Sequence, residues 1–177
     1  MGEVYDNLNK FSQKNRSIQS NTPLGEDVLL LRSFTGSESF SQLFHFSVEL
    51  LSGETSVNPG DIIGEPVAIC IEGEEPKYFS GYVRSFTNLG GIGRGIYSYR
   101  AELVPWLWFL TRTSDCRVFQ NKNAMEIVEQ IIRDHGFNDF TVNLIKDYEK
   151  IEYCVQYNET DFDFISRSLE HEGIYYY

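Results

Sequence analysis

Over residues 43–51 apolar and polar residues alternate. Phe44, Phe46, Val48 and Leu50 fall on one side, His45, Ser47 and Glu49 on the other. A period of two predicts a half-buried β-strand. Residues 28–31 form a short apolar run, residues 67–71 a strand opened by Pro66, and residues 78–86 and 96–104 two strands that read as a hairpin. The stretch between them, Asn88-Leu-Gly-Gly-Ile-Gly-Arg-Gly, reads as a glycine-rich connection. Short strands with this punctuation predict a small antiparallel barrel or sandwich over residues 16–110. Residues 1–15 are polar and read as a loose leader.

After Pro105 the period changes. Residues 123–135 read as a helix: Asn123 is the expected N-cap, Glu126 completes a capping-box variant, and Val128, Ile131, Ile132 and His135 recur at helical spacing before Gly136. A second helix is expected from about Thr160 to Glu172, with Phe162, Ile165 and Leu169 on one face and Gly173 ending it. Asp161 and Asp163 near its start suit the helix dipole. Residues 150–157 read as a strand between the helices, and residues 174–177 as the opening of another. The predicted fold class is α+β. A mainly antiparallel, barrel-like unit over residues 16–110 precedes a smaller α/β part over residues 111–177, which carries two helices and is cut short at its C-terminus.

The formal net charge of −11 is spread along the chain: residues 111–177 carry 13 acids and 7 bases. No basic cluster is available for a phosphate backbone, which argues against nucleic acid and anionic membranes as partners. No stretch approaches the roughly 18 apolar residues of a membrane span, and residues 1–19 lack the apolar core of a signal peptide.

Candidate chemistry is sparse. Cys70, Cys116 and Cys154 are odd in number and far apart, fitting a reducing compartment and the role of small buried hydrophobes. His45, His135 and His171 form no metal-ligand spacing. The glycines of residues 90–95 lie between strands instead of opening a helix, so they lack the dipole of a phosphate cradle. No metal, no cofactor and no turnover are expected. Both tryptophans fall in one run, Leu103-Val-Pro-Trp-Leu-Trp-Phe-Leu-Thr-Arg. If that run is extended, alternation sets Trp106 and Trp108 on one face, as a junction between the barrel and the helical part.

That run, with Asp115-Cys-Arg-Val-Phe-Gln after it, resembles a stretch of the VgrG spike proteins of type VI secretion. So do Glu152-Tyr-Cys-Val-Gln-Tyr-Asn-Glu-Thr-Asp-Phe-Asp-Phe-Ile-Ser-Arg and Glu170-His-Glu-Gly-Ile-Tyr-Tyr. Upstream, Phe34-x-Gly-x-Glu-x-Phe-Ser-x-Leu-Phe-x-Phe and Phe79-Ser-Gly-Tyr-Val match as well, and the likeness covers roughly residues 16–177. The residues that carry the motif are Pro105, Trp106, Trp108, Arg112, Phe119, Gln120, Tyr153, Gln156, Tyr157, Asp161, Phe162, Phe164, Arg167 and Gly173.

The family is similar to the baseplate hub of contractile phage tails. The resemblance implies a structural hub that trimerises, docks on an Hcp-like tube hexamer and helps deliver secreted effectors or adaptors. It implies assembly in the bacterial cytoplasm and export by the contractile apparatus. A stand-alone cargo-binding adaptor and a prophage tail hub fragment are the competing readings. The family's ring takes two barrels from each of three subunits. A chain ending at Tyr177 stops before a second barrel and a needle, so weak self-association is expected here instead of a closed trimer.

Overall fold

The computed structural model describes residues 12–177, so the first eleven residues of the expected leader lie outside the described residues. The chain divides into two compact units, residues 12–38 with 44–105 and residues 39–43 with 106–177. The architecture is α+β, mostly antiparallel.

The first unit is a nearly closed, barrel-like sheet of β1 (Ile18–Asn21), β2 (Leu30–Ser37), β3 (His45–Ser52), β4 (Pro66–Ile71), β5 (Lys77–Gly93) and β6 (Ile96–Val104), in the order β1-β4-β5-β6-β3-β2. The alternation in β3 works as read: Phe46, Val48 and Leu50 are buried, while His45, Ser47 and Glu49 are half-exposed. The buried residues meet Leu31, Val67, Ile69, Val83 and Leu103 in one core. Outward, Glu49 lies 3.3 Å from Arg100 and 3.7 Å from Arg32, and Glu102 pairs with His45. The backbone of β1 is sealed by a side chain. The amide of Gln13 donates to the Ser20 carbonyl at 2.6 Å and accepts from the Ser20 N–H at 2.9 Å. Buried backbone groups on one edge of β1 are thereby satisfied within the chain.

Two motif glycines have steric causes. A Cβ on Gly36 would sit 2.4 Å from the His45 carbonyl and 2.1 Å from the Phe46 ring. A Cβ on Gly81 would sit 2.9 Å from the Val104 carbonyl, with Phe44 and Leu103 close behind. These are close approaches of backbone to neighbour, a place where only glycine fits. Gly36→Ala and Gly81→Ala are each expected to destabilise the barrel by about 1–3 kcal/mol, as overpacking does. Urea unfolding followed by circular dichroism would measure it; an unchanged midpoint for both would refute the steric account.

The glycine-rich stretch is not a loop. β5 runs on to Gly93 and pairs with Ile96, and the chain reverses at Arg94–Gly95, whose φ angles are 55° and 71°. Two central residues at positive φ belong to the primed two-residue turns, whose twist matches that of the strands. Residues Leu89 and Ile92 are the extra members of two β-bulges in β5, followed by Gly90 and Gly93 at φ 96° and 98°. The glycines thus serve bulges and a tight turn within a continuous arm.

The second unit holds a 3-10 helix (Trp106–Thr111), β7 (Ser114–Lys122), α1 (Ala124–Asp134), β8 (Ile151–Thr160) and α2 (Asp161–Glu172), with β7 and β8 paired antiparallel. The capping box of α1 is present: Glu126 N–H donates to Asn123 Oδ1 at 2.8 Å and Asn123 N–H to Glu126 Oε2 at 2.9 Å. Thr160 caps α2, and Gly173 ends it at φ 71°. Ile127, Ile131, Phe119, Phe164 and Leu110 form the core.

Four expectations are corrected here. The run 106–111 is not extended; it coils, which turns Leu110 fully inward and leaves Trp106 and Trp108 half-buried and in separate surroundings. Trp106 stacks on Phe137 at 4.8 Å, whereas Trp108 lies under Arg112 and edge-on to Phe109. In α2, Phe162, Ile165 and Leu169 do face one core, Phe162 half-buried at its margin, but the helix also buries Phe164 and the Asp161 carboxylate, which the pattern did not announce. Residues 174–177 form no strand; the Tyr176 carbonyl accepts from Ser41 N–H at 2.8 Å, and Tyr175 and Tyr177 stand edge-on to Phe40. None of the cysteines is buried: Cys116 is exposed, Cys70 is half-exposed, and Cys154, also half-exposed, packs at the margin of the second unit's core.

Candidate functional site

The second unit is organised around one buried carboxylate. Asp161 opens α2 and is fully buried. Its Oδ1 accepts from Gln156 Nε2 of β8 at 2.7 Å. Its Oδ2 accepts from Thr113 Oγ1 at 2.8 Å, lies 2.7 Å from His135 Nε2 at the end of α1, and receives Arg117 Nη2 of β7 at 3.4 Å. The backbone N–H of Asp161 donates to the Thr113 carbonyl at 3.0 Å. One side chain therefore ties the end of the 3-10 turn, both strands and both helices together. Burial by itself pushes the Asp161 carboxyl up, but hydrogen bonds from Gln156, His135 and Thr113, with the Arg117 charge, hold it below the ordinary carboxylate range.

A charged group at zero exposure with several donors is how functional carboxylates are often set up. Among the described residues no group of three or more His, Cys, Asp or Glu is placed to hold a metal ion. Thr113 was not among the residues read from the sequence, Arg117 entered only within a family stretch and His135 only as a helix residue without metal-ligand spacing, and nothing in their spacing ties them to Asp161.

The other motif residues sort by face. Phe119 stacks on Phe164 at 5.7 Å inside the unit. Arg167 reaches from α2 to Glu159 at 2.6 Å and to the Val155 carbonyl at 3.0 Å, with its guanidinium 4.7 Å over the Phe164 ring. The hydrogen bond between Arg167 and Glu159 raises the former's pKa and lowers the latter's. Pro105 closes the barrel unit just before the 3-10 helix, and Gly173 supplies the left-handed cap. Gln120, Tyr153 and Tyr157 alternate onto the outer face of the β7–β8 ribbon, opposite the face that holds Phe119 and Gln156. Cross-strand neighbours there are Cys116 with Tyr157, Val118 with Val155 and Gln120 with Tyr153. The ribbon thus has a packed inner face and an open outer one rich in tyrosine and valine. This arrangement provides an exposed face suited to contact.

The barrel and its appended α+β unit define the chain as a hub-type domain. It belongs to the phage tail baseplate hub (GPD) family, whose model matches residues 37–177. Among individual proteins it is 44% identical over 169 residues to the type VI secretion system spike protein VgrG1c of Pseudomonas aeruginosa, covering 94% of this chain and 23% of that one. The chain thus spans about a quarter of that relative's length. A solved Escherichia coli protein, c3393, described as a component of the type VI secretion system with structural similarity to T4 bacteriophage tail proteins gp27 and gp5, shares the fold. Its TM-score is 0.75 at 24% identity, over 85% of this chain and 42% of that one. The 43 kDa tail protein of prophage MuSo2 from Shewanella oneidensis also shares it, with a TM-score of 0.62 at 14% identity, over 89% of this chain and 48% of that one.

Proposed function

We propose that this chain is a structural hub component of a type VI secretion apparatus that docks on an Hcp-like tube hexamer and helps to deliver effectors. The observation that carries this reading is the 44% identity to a spike protein across 94% of the chain. It is joined to a barrel-like sheet with a charged outer face and a second unit whose buried polar network only braces it. The mechanism is geometric: rigid barrels present strand edges and faces to a ring, and no bond is made or broken. Copies associate around the tube axis, and secreted effectors or adaptors ride on the hub. Assembly takes place in the bacterial cytoplasm, and the contractile apparatus exports the protein. The described residues include no helix long and apolar enough to cross a membrane.

Co-sedimentation with purified tube hexamers is the direct test. The chain is expected in the tube pellet at micromolar concentration, and a cargo protein added alone is expected to stay behind unless the chain is present. A chain that never pellets with tubes but binds cargo is a stand-alone adaptor, and the hub reading fails.

A further inference from the structure

The two edges of the β7–β8 ribbon are finished differently. In an antiparallel pair the N–H and C=O of one residue point to the same side, and residues directly opposite alternate between bonded and unbonded pairs. The Val155 carbonyl of β8 accepts from Arg167 Nη2 of α2 at 3.0 Å, so it points away from β7. Val155 stands opposite Val118, and Tyr153, two residues earlier, stands opposite Gln120. Both pairs are therefore of the unbonded kind. The backbone groups of Val118 and Gln120 point outward from β7, as those of Val155 and Tyr153 do from β8.

The β8 edge is plugged from within the chain. Arg167 covers the Val155 carbonyl and grips the Glu159 carboxylate at 2.6 and 2.8 Å, and the Tyr157 N–H reaches the same carboxylate. Charged side chains laid along a strand are one way that folded proteins blunt an edge. On β7 the counterpart is slight: the Cys116 N–H donates to Asp115 Oδ1 at 2.7 Å. Among the described residues β7 has β8 as its one strand neighbour and no backbone bond to any other segment. Val118 is 54% exposed, and Gln120 is exposed as well. The side chains beside this edge are uncharged: Cys116, Val118 and Gln120 on β7, with Tyr157, Val155 and Tyr153 behind them.

We propose that the β7 edge takes up an extended segment of a cargo protein as a third strand, its main chain bonded to Val118 and Gln120 and its apolar side chains laid on the uncharged face. An open edge binds main chain, and the face beside it selects alternate side chains. Charge sets that selection. A lysine or glutamate turned onto the middle of this face would leave water without meeting an opposite charge, which costs free energy, whereas valine or threonine would not. The plug on β8 restricts each chain to one such segment. The inference rests on the delivery part of the proposed function and names where the cargo is held.

The probe is an acetylated and amidated octapeptide, Lys-Val-Thr-Val-Thr-Val-Thr-Lys, added to the full chain and followed by amide hydrogen exchange. Exchange at Val118 and Gln120 is expected to slow about tenfold with peptide at ten times its dissociation constant, while Tyr153 and Val155 keep their rates. The same peptide N-methylated at its valines keeps its side chains but loses the donors, and is expected to have no effect. Equal slowing by both peptides would mean apolar adhesion without strand pairing and would overturn the proposal. Val118→Pro removes one outward N–H at a position where an edge strand tolerates proline. It is expected to abolish the slowing at Gln120 with an unchanged circular dichroism spectrum. Arg167→Ala unplugs the other edge and is expected to bring Val155 and Tyr157 under peptide protection too. Protection of Val118 that grows with protein concentration in the absence of peptide would assign the edge to a second copy and overturn the proposal. No slowing in a chain that pellets with tubes would overturn this inference alone. Slowing in a chain that never pellets would sink the hub reading and leave the strand-accepting edge standing.

Discussion

Asp161→Ala is expected to destabilise the second unit by about 3–5 kcal/mol, the range found when one partner of a buried, hydrogen-bonded charge pair is removed. The substitution strips Gln156 Nε2, Thr113 Oγ1, His135 and Arg117 of a shared acceptor. Gln156 is itself fully buried, so its orphaned amide finds no water without local opening. Asp161→Asn is expected to lose less, since an amide keeps one acceptor oxygen, but its NH₂ faces donors. The pH dependence follows from the lowered pKa. A carboxylate whose folded pKa lies below its unfolded value contributes stability that is full above the unfolded value, about 3.9. That stability is lost as pH falls through the folded pKa. Thermal unfolding from pH 7 downward should therefore show an acid loss below about pH 4 that is shallower in Asp161→Asn. Equal acid slopes in the two proteins would mean that other carboxylates carry the transition.

The sequence readings succeeded where one local rule decides the outcome. The period of two in β3 was legible because a strand with one face in a core must alternate. The capping box at Asn123 and the left-handed Gly173 were legible because helix ends have few solutions. The bulged arm was not: Asn88 to Gly95 looks like a loop because glycine is the common residue of both loops and G-type bulges, and only pairing partners distinguish them. The coil of residues 106–111 was hidden for a related reason. A run with apolar residues at nearly every position fits strand and helix alike, and the choice was made by Leu110 and its core neighbours.

Asp161 shows the limit most clearly. At the first turn of α2 it has a sufficient local explanation in the helix dipole, and burial of a charge is not something a helical pattern announces. Its partners lie 48, 44, 26 and 5 positions away in the chain. Only the tertiary fold brings them together. The family motif did contain Asp161 and Gln156, so the resemblance held information that periodicity did not. The open face of the ribbon was half legible: Tyr153, Val155 and Tyr157 alternate in sequence, but an alternating apolar strand reads as one that buries that face.

Tyr99→Ala is expected to cost the barrel about 3–5 kcal/mol, as truncation of a large core aromatic does. Tyr99 lies on β6, is fully buried, and stacks on Phe86 at 5.2 Å with the rings 9° from parallel. Its hydroxyl reaches across the core to the segment after β3, donating to the Glu54 carbonyl at 2.9 Å and accepting from Val57 N–H at 3.3 Å. The ring is therefore packing and the hydroxyl is a tie for residues 54–57, which have no strand partner of their own. The two roles separate in Tyr99→Phe, which keeps the ring and leaves the Val57 N–H and the Glu54 carbonyl without the hydroxyl, a loss of about 1–3 kcal/mol. Urea melts should rank wild type, Tyr99→Phe and Tyr99→Ala in falling order. Amide hydrogen exchange supplies the finer readout: in Tyr99→Phe, protection should drop at Val57 while the amides of β3 and β6 keep theirs. A Tyr99→Phe protein as stable as wild type, with Val57 equally protected, would mean that the loop holds itself and that the hydroxyl merely fills space.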